Sequence, residues 1–166
     1  MGFNSVLMPA KALNYEGGWK SQYAKGSFEL IAFYIESTNE ILPYELEAFP
    51  GRSFYRNEGA TERFGVEIAA AYQWQKWGLQ ASLTQARYQF AAQESAPNEG
   101  KILPGLPSSQ GFIQLQYSSA QSWEWLLSGN HTGAFFANTA NTIEIASFQR
   151  LRLQGQKSLT LPWGEI

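Results

Sequence analysis

The chain has 166 residues, enough for one domain, with a formal net charge of -2 and only 16 % charged residues. That balance gives no electrostatic footprint for nucleic acid or an acidic substrate. The absence of Cys excludes a disulfide framework and a Cys-based metal site. No run of about 18 apolar residues exists, so no transmembrane helix is expected. The mean hydropathy of -0.31 has the look of a soluble protein. Strands whose faces alternate between lipid and lumen average to such values too. Residues 1–8 carry neither a basic nor a long apolar region and do not read as a signal peptide.

In chain order, segments 14–23 and 27–35 predict a hairpin over Lys25-Gly26, with weak alternation because Phe28, Leu30, Ile31, Phe33 and Ile35 are apolar on both faces. Segment 63–74 alternates strictly. Phe64, Val66, Ile68, Ala70, Tyr72 and Trp74 fall on one face, and Arg63, Gly65, Glu67, Ala69, Ala71 and Gln73 on the other. It is long enough to cross a bilayer at a tilt, which takes roughly nine to eleven residues. Segment 78–90 continues the pattern, with Leu79, Ala81 and Leu83 opposing Gln80, Ser82 and Thr84. Ile113, Leu115 and Tyr117 then oppose Gln114 and Gln116, while Trp123, Trp125 and Leu127 oppose Glu124, Leu126 and Ser128. Leu151 and Leu153 oppose Arg150, Arg152 and Gln154. The expected fold is all-β: an antiparallel up-and-down meander of about seven or eight long strands in a single region, 1–166.

The connections alternate in length. Short turns are expected at Ala24-Lys25-Gly26, Gln75-Lys76, Ser119-Ala120-Gln121 and Pro162-Trp163-Gly164, and longer ones at 46–52, 91–109 and 133–142. All six Trp (Trp19, Trp74, Trp77, Trp123, Trp125, Trp163) lie within about five residues of a short turn. A transmembrane β-barrel produces this pattern, with short turns on one side, long loops on the other and aromatic rings at the water boundary. The competing reading is a soluble lipocalin-like barrel or β-sandwich, in which a second layer covers the apolar face of Phe64, Val66, Ile68 and Tyr72.

Leu7-Met8-Pro9-Ala10-Lys11 followed by Asn14-Tyr15-Glu16-Gly17-Gly18-Trp19-Lys20 is the first of several runs that resemble the C-terminal barrel of TonB-dependent outer-membrane receptors; it is similar to that family's "L-x-P-E-x … N-Y-E-x-G-x-K", with Ala10 in place of Glu and Gly17 in place of an aliphatic residue. Phe33-Tyr34 and Ile41-Leu42-Pro43 match "F-Y … I-x-P". Asn57-Glu58-Gly59 with Gly65-Val66-Glu67 resembles "N-x-G-x-x-x-x-x-G-V-E". Leu103-Pro104-Gly105-Leu106-Pro107 resembles "L-P-G-x-P", and Leu161-Pro162-Trp163-Gly164 a late turn of the family. The resemblance implies about a third of a plugged barrel of about 22 strands in a Gram-negative outer membrane. It implies a receptor that takes up a ferric siderophore or similar scarce nutrient, partnered by TonB, the plug domain and outer-membrane lipid, without cofactor or catalysis. A passive porin-like barrel is the alternative within the membrane class.

No catalytic constellation is present: there is one His, no Cys, and no carboxylate pair at a diagnostic spacing. His131 shares the face of Trp125 and Leu127 and is expected at an interface or loop mouth, not on a metal. Glu16, Glu29 and Glu67 are expected to face the lumen and pair with Arg63, Arg150 or Arg152. Gly59 is expected to permit a bulge or close approach, and Gly65 to leave room in the lumen. Ligand contacts are expected at the long loops, from Arg52, Tyr55, Arg56, Tyr88, Phe90, Phe135 and Phe136, because rings and guanidinium groups grip an anionic, partly aromatic chelate by stacking and charge. Tyr55 and Tyr88 point inward by parity.

Overall fold

The alternating segments pair into antiparallel strands because only pairing satisfies their main-chain groups while leaving the two faces chemically distinct. The computed structural model describes residues 7–46, 48–91, 98–158, 160–161 and 164–165. In chain order the strands are β1 (Lys11–Tyr23), β2 (Gly26–Glu45), β3 (Ser53–Trp74), β4 (Trp77–Phe90), β5 (Ser109–Ser118), β6 (Trp123–Thr132), β7 (Phe135–Phe136), β8 (Glu144–Ile145), β9 (Phe148–Lys157), β10 (Thr160–Leu161) and β11 (Gly164–Glu165). Seven of them form one sheet in the order β1-β2-β3-β4-β5-β6-β9, and β7-β8 and β10-β11 are separate two-residue ladders. Every pairing in the main sheet joins strands successive in it and is antiparallel. This is the expected meander. Pro162 and Trp163 of the predicted last turn lie outside the described residues, between the paired Leu161 and Gly164.

Register carries the face assignment across the sheet. Ile68 sits opposite Leu30 on one side and Leu83 on the other, and Tyr72 opposite Gly26 and Leu79. Leu79 continues to Leu115, Leu127 and Leu153. On the other face Glu67 sits opposite Ile31 and Thr84, and Gln80 opposite Gln114, then Ser128 and Arg152. Gln22, Gln73, Gln80, Gln114 and Gln116 line a groove on that polar face at the short-turn end.

The apolar face is bare. Ile68 is 37 % exposed and Tyr72 54 %, with Leu83, Ile113, Leu127, Leu151 and Leu153 also exposed. No second sheet covers it among the described residues, contrary to the expectation for a soluble sandwich. Among the described residues the buried apolar ones are Ala60, Ala86, Phe90, Ala91 and Leu103, all toward the long-loop end.

The edges of this apolar band are not square to the strands. On β1 and β2 its long-loop boundary is the pair Tyr15 and Tyr34, with ring centroids 6.5 Å apart. On β6 and β9 the boundary has slid to His131 and Gln149, which share a register row with Trp19, Leu30 and Ile68. The short-turn boundary slides the same way, from Tyr23 and Tyr72 to Trp74, Trp77 and Tyr117 and then to Trp125 and Trp123. Trp77 packs on Tyr117 at 4.6 Å, and Trp123 stacks on Trp125 at 5.7 Å. A level slab crossed by tilted strands gives this stagger, since tilt and shear are linked in a barrel wall.

Two strands are longer than their alternation indicates: β2 has 20 residues and β3 has 22. Their outer portions form an arm beyond the apolar band, paired as far as Glu45 with Ser53. Asn39 (φ 56) and Gly59 (φ 22) face each other where the arm leaves the band, and the register is the same on either side. Gly59 thus permits a local kink, with no residue inserted into the ladder. Gly65 answers to a different constraint than lumen space: a Cβ there would lie 2.6 Å from the Cβ of Ala86 and 2.5 Å from the Gln85 carbonyl oxygen. It lets β3 and β4 approach closely.

Candidate functional site: the long-loop mouth

The arm carries one aromatic and cationic group. Tyr44 and Phe54 are opposite in register with centroids 5.9 Å apart, and Phe49 folds back to 6.0 Å from Phe54. The fold-back is a tight turn in which the Phe49 amide donates to the Leu46 carbonyl at 2.9 Å and the Arg52 amide to the Phe49 carbonyl at 3.2 Å. The Arg52 guanidinium lies 5.8 Å from the centre of Phe54, and that of Arg56 5.0 Å from the centre of Tyr44. Phe54 and Arg56 alternate with Tyr55, which is 55 % exposed on the opposite side of the strand. The structure therefore joins Arg52 and Arg56 through a ring platform and separates Tyr55 from them.

Below the kink a polar cluster fixes the arm to the wall. Glu40 takes one bond from the Arg63 guanidinium and one from the Thr61 hydroxyl, and Arg63 also reaches the Ser37 hydroxyl at 3.5 Å. Thr61 is fully buried. The expected pairing of Arg63 with Glu16, Glu29 or Glu67 is thus corrected: its acid is Glu40. Glu29 pairs with Lys20 at 3.1 Å, and Glu16 accepts from Asn14 at 3.0 Å. The guanidinium of Arg150 lies 5.6 Å from the centre of Phe148. Sequence parity put these acids on the right face but could not rank partners, because Glu40 lies where alternation has ended.

Asn57 ties two of the sequence motifs together. Its carboxamide accepts from the Met8 amide at 2.8 Å and donates to the Met8 carbonyl at 2.8 Å and the Asn39 carbonyl at 2.7 Å. The segment before β1 is thereby held against the arm.

The remaining predicted residues belong to a second block. Tyr88 is half-buried on the polar face, opposite Arg63. Phe90 is 3 % exposed and opposite buried Thr61. It packs into the base of the mouth, with its ring turned away from the surface. Residues 100–108 run back along β4: Phe90 donates to Lys101 at 2.9 Å, Leu103 to Tyr88 at 2.9 Å and Ala86 to Ser108 at 2.8 Å. The third loop, expected as 133–142, instead runs to residue 147 and contains the β7-β8 ladder, in which half-exposed Phe135 and Phe136 pair with Ile145 and Glu144. The Gly105 amide donates to the Phe136 carbonyl at 2.8 Å, so the second and third loops meet. The His131 Nε2 lies 3.1 Å from the Ser109 hydroxyl on the apolar face, and no cluster of metal-ligating residues occurs among the described residues.

The family described as TonB dependent receptor-like, beta-barrel, matches residues 2–162. Among solved structures, the ferric yersiniabactin uptake receptor FyuA from Yersinia pestis superposes with a TM-score of 0.75 at 18 % identity, over 88 % of this chain and 22 % of that one. BauA, the ferric preacinetobactin receptor from Acinetobacter baumannii, gives 0.72 at 19 % identity over 92 % and 23 %. The copper transporter OprC gives 0.71 at 19 % identity over 90 % and 23 %. The chain spans less than a quarter of the length of each of these three. At these identities the superpositions establish the fold, and the family match establishes kinship: the chain belongs to the TonB-dependent receptor family, as a portion of its β-barrel.

Proposed function

We propose that this chain is one continuous stretch of wall from an outer-membrane receptor that takes up a scarce nutrient, a ferric siderophore or similar metal chelate, at its long-loop mouth. The observation that carries this reading is the staggered apolar band, edged by aromatic rings along its short-turn side and, on β1 and β2, along its long-loop side, in a chain of this family. In this reading the band contacts outer-membrane lipid. The polar face with its glutamine-lined groove contacts the plug, and TonB displaces the plug to admit the ligand. Arg52, Arg56 and the rings of the arm, with Tyr88, Phe135 and Phe136 on the second block, offer charge and stacking to an anionic chelate. Tyr55, exposed on the arm's other side, is a separate contact, and Phe90 supports the site from beneath.

The test is growth under iron limitation of a strain lacking the reading frame that contains this segment, supplied with a panel of ferric siderophores and with copper. Loss of growth on one chelate, reproduced by deleting TonB and restored by the intact frame, is the expected result. Unchanged growth on every chelate, with the protein absent from the outer-membrane fraction, would sink the reading.

A further inference from the structure

We infer that Asn141 is a positioning residue that locks segments 98–108 and 133–147 into one rigid lip at the mouth. The argument starts from an open edge. Lys101 and Leu103 direct their main-chain groups at Phe90 and Tyr88 of β4, and Ile102 bridges Gln89. In a strand the intervening residue directs its N–H and C=O the opposite way, so Ile102 presents an unpaired donor and acceptor away from β4. The Asn141 carboxamide fills both, accepting from the Ile102 amide at 2.7 Å and donating to the Ile102 carbonyl at 2.8 Å. A single side chain thus does the work of a neighbouring strand.

The chemistry selects Asn. A carboxamide offers an acceptor and a donor side by side; a carboxylate offers only acceptors and would set an oxygen against the Ile102 carbonyl. Asn141 also sits at φ 57, a left-handed conformation that Asn tolerates better than most residues. Its own loop holds it in place. The Asn138 side chain accepts from the amides of Thr142 and Ile143 at 3.0 and 3.2 Å, and the Asn138 carbonyl accepts from the Asn141 amide at 3.2 Å. The bond from Gly105 to Phe136 adds a second tie between the same segments. The arrangement recurs at Asn57, whose carboxamide grips both main-chain groups of Met8 and a third carbonyl, as Asn141 grips Ile102 and the Asn138 carbonyl. The lip carries Phe135 and Phe136 and is continuous through β4 with Tyr88. A ligand touching either loop therefore meets a surface already ordered, and less binding energy goes into ordering it. That use of the lock rests on the proposed receptor function; the lock itself does not.

The experiment is pulsed electron–electron distance measurement on the full receptor containing this segment. One spin-label pair is placed through Glu99→Cys and Ala140→Cys, one on each loop, and a control pair through Gln75→Cys and Gln121→Cys at the short turns. The unmodified sequence gives a narrow distribution for both pairs. Asn141→Gly, which keeps the backbone conformation, and Asn141→Asp, which keeps the size, each broaden the loop pair about twofold and leave the control pair narrow. A loop pair that stays narrow in both variants, or a control pair that broadens with it, overturns the lock. In uptake assays with the chelate identified by the growth panel, Asn141→Asp raises the half-saturating concentration about tenfold with a maximal rate within about twofold. An unchanged half-saturation overturns the ligand-ordering role. A panel in which no chelate is taken up fails the receptor reading while the distance measurement still decides the lock.

Discussion

Two outward or inward glycines in this sheet carry opposite requirements, and the difference lies in what stands beside each. Gly17 faces the apolar side, and an added methyl there meets nothing within 4 Å. Gly65 faces the polar side, where an added Cβ would strike the main chain of Gln85 and the side chain of Ala86. Main chain in a paired ladder cannot yield as a flexible side chain can. Gly65→Val is therefore expected to destabilise the receptor by roughly 1–3 kcal/mol through overpacking. Gly17→Ala should shift stability by no more than about 0.5 kcal/mol. Denaturant unfolding of the two variants in lipid vesicles measures both; equal effects would mean that β3 and β4 are not in close contact at this level. The sequence shows both residues as glycines on alternating strands and cannot rank them, because the distinction depends on a neighbour twenty-one positions away at Ala86.

At the scale of elements, legibility follows the solvent. Where a strand has one apolar and one polar face, the alternation is strict, and 63–74 is readable residue by residue as a strand. Where β2 and β3 continue into the arm, polar residues stand on both faces, some of them buried against one another, and the pattern dissolves into Glu36, Ser37, Thr38, Asn39 and Glu40 opposite Glu62, Thr61, Ala60, Gly59 and Glu58. The predicted strand 27–35 therefore stops ten residues short of the observed end at Glu45. The β7-β8 ladder was illegible for a related reason, since two paired residues are too few to show a period. What holds the arm is the cluster at its base. The side chains of Arg63 and Glu40 are 23 % and 20 % exposed, against 72 % and 36 % for Lys20 and Glu29. A double-mutant cycle on Arg63→Ala and Glu40→Ala is expected to give a coupling of about 1–3 kcal/mol, because both side chains are largely withdrawn from water; the loss of the Thr61 hydroxyl's acceptor falls on Glu40→Ala alone and cancels in the cycle. The same cycle on Lys20 and Glu29 should give less than about 0.5 kcal/mol. Comparable couplings in the two cycles would remove the base cluster as the arm's anchor.

For the whole molecule, the decisive property is that, among the described residues, almost nothing large and apolar is buried in the sheet while a continuous band of it is exposed. Burial in a second layer would have made the fold self-sufficient in water; in the proposed outer-membrane setting, exposure transfers that role to the bilayer. Ile68 and Ala69 make this testable because they are adjacent in sequence and opposite in face. Ile68 lies between Leu30 and Leu83, well inside both aromatic boundaries, whereas Ala69 lies opposite Glu29 on the polar face. Ile68→Arg is expected to cost about 2–4 kcal/mol in vesicles, the penalty for a guanidinium near the bilayer midplane. Ala69→Arg gains a carboxylate neighbour in a hydrated lumen and should cost under about 1 kcal/mol. Reversible unfolding in lipid measures both on one protein. If Ala69→Arg proves as costly as Ile68→Arg, the polar face is not hydrated lumen, and the assignment of every strand in the sheet must be inverted or abandoned, because register couples all seven.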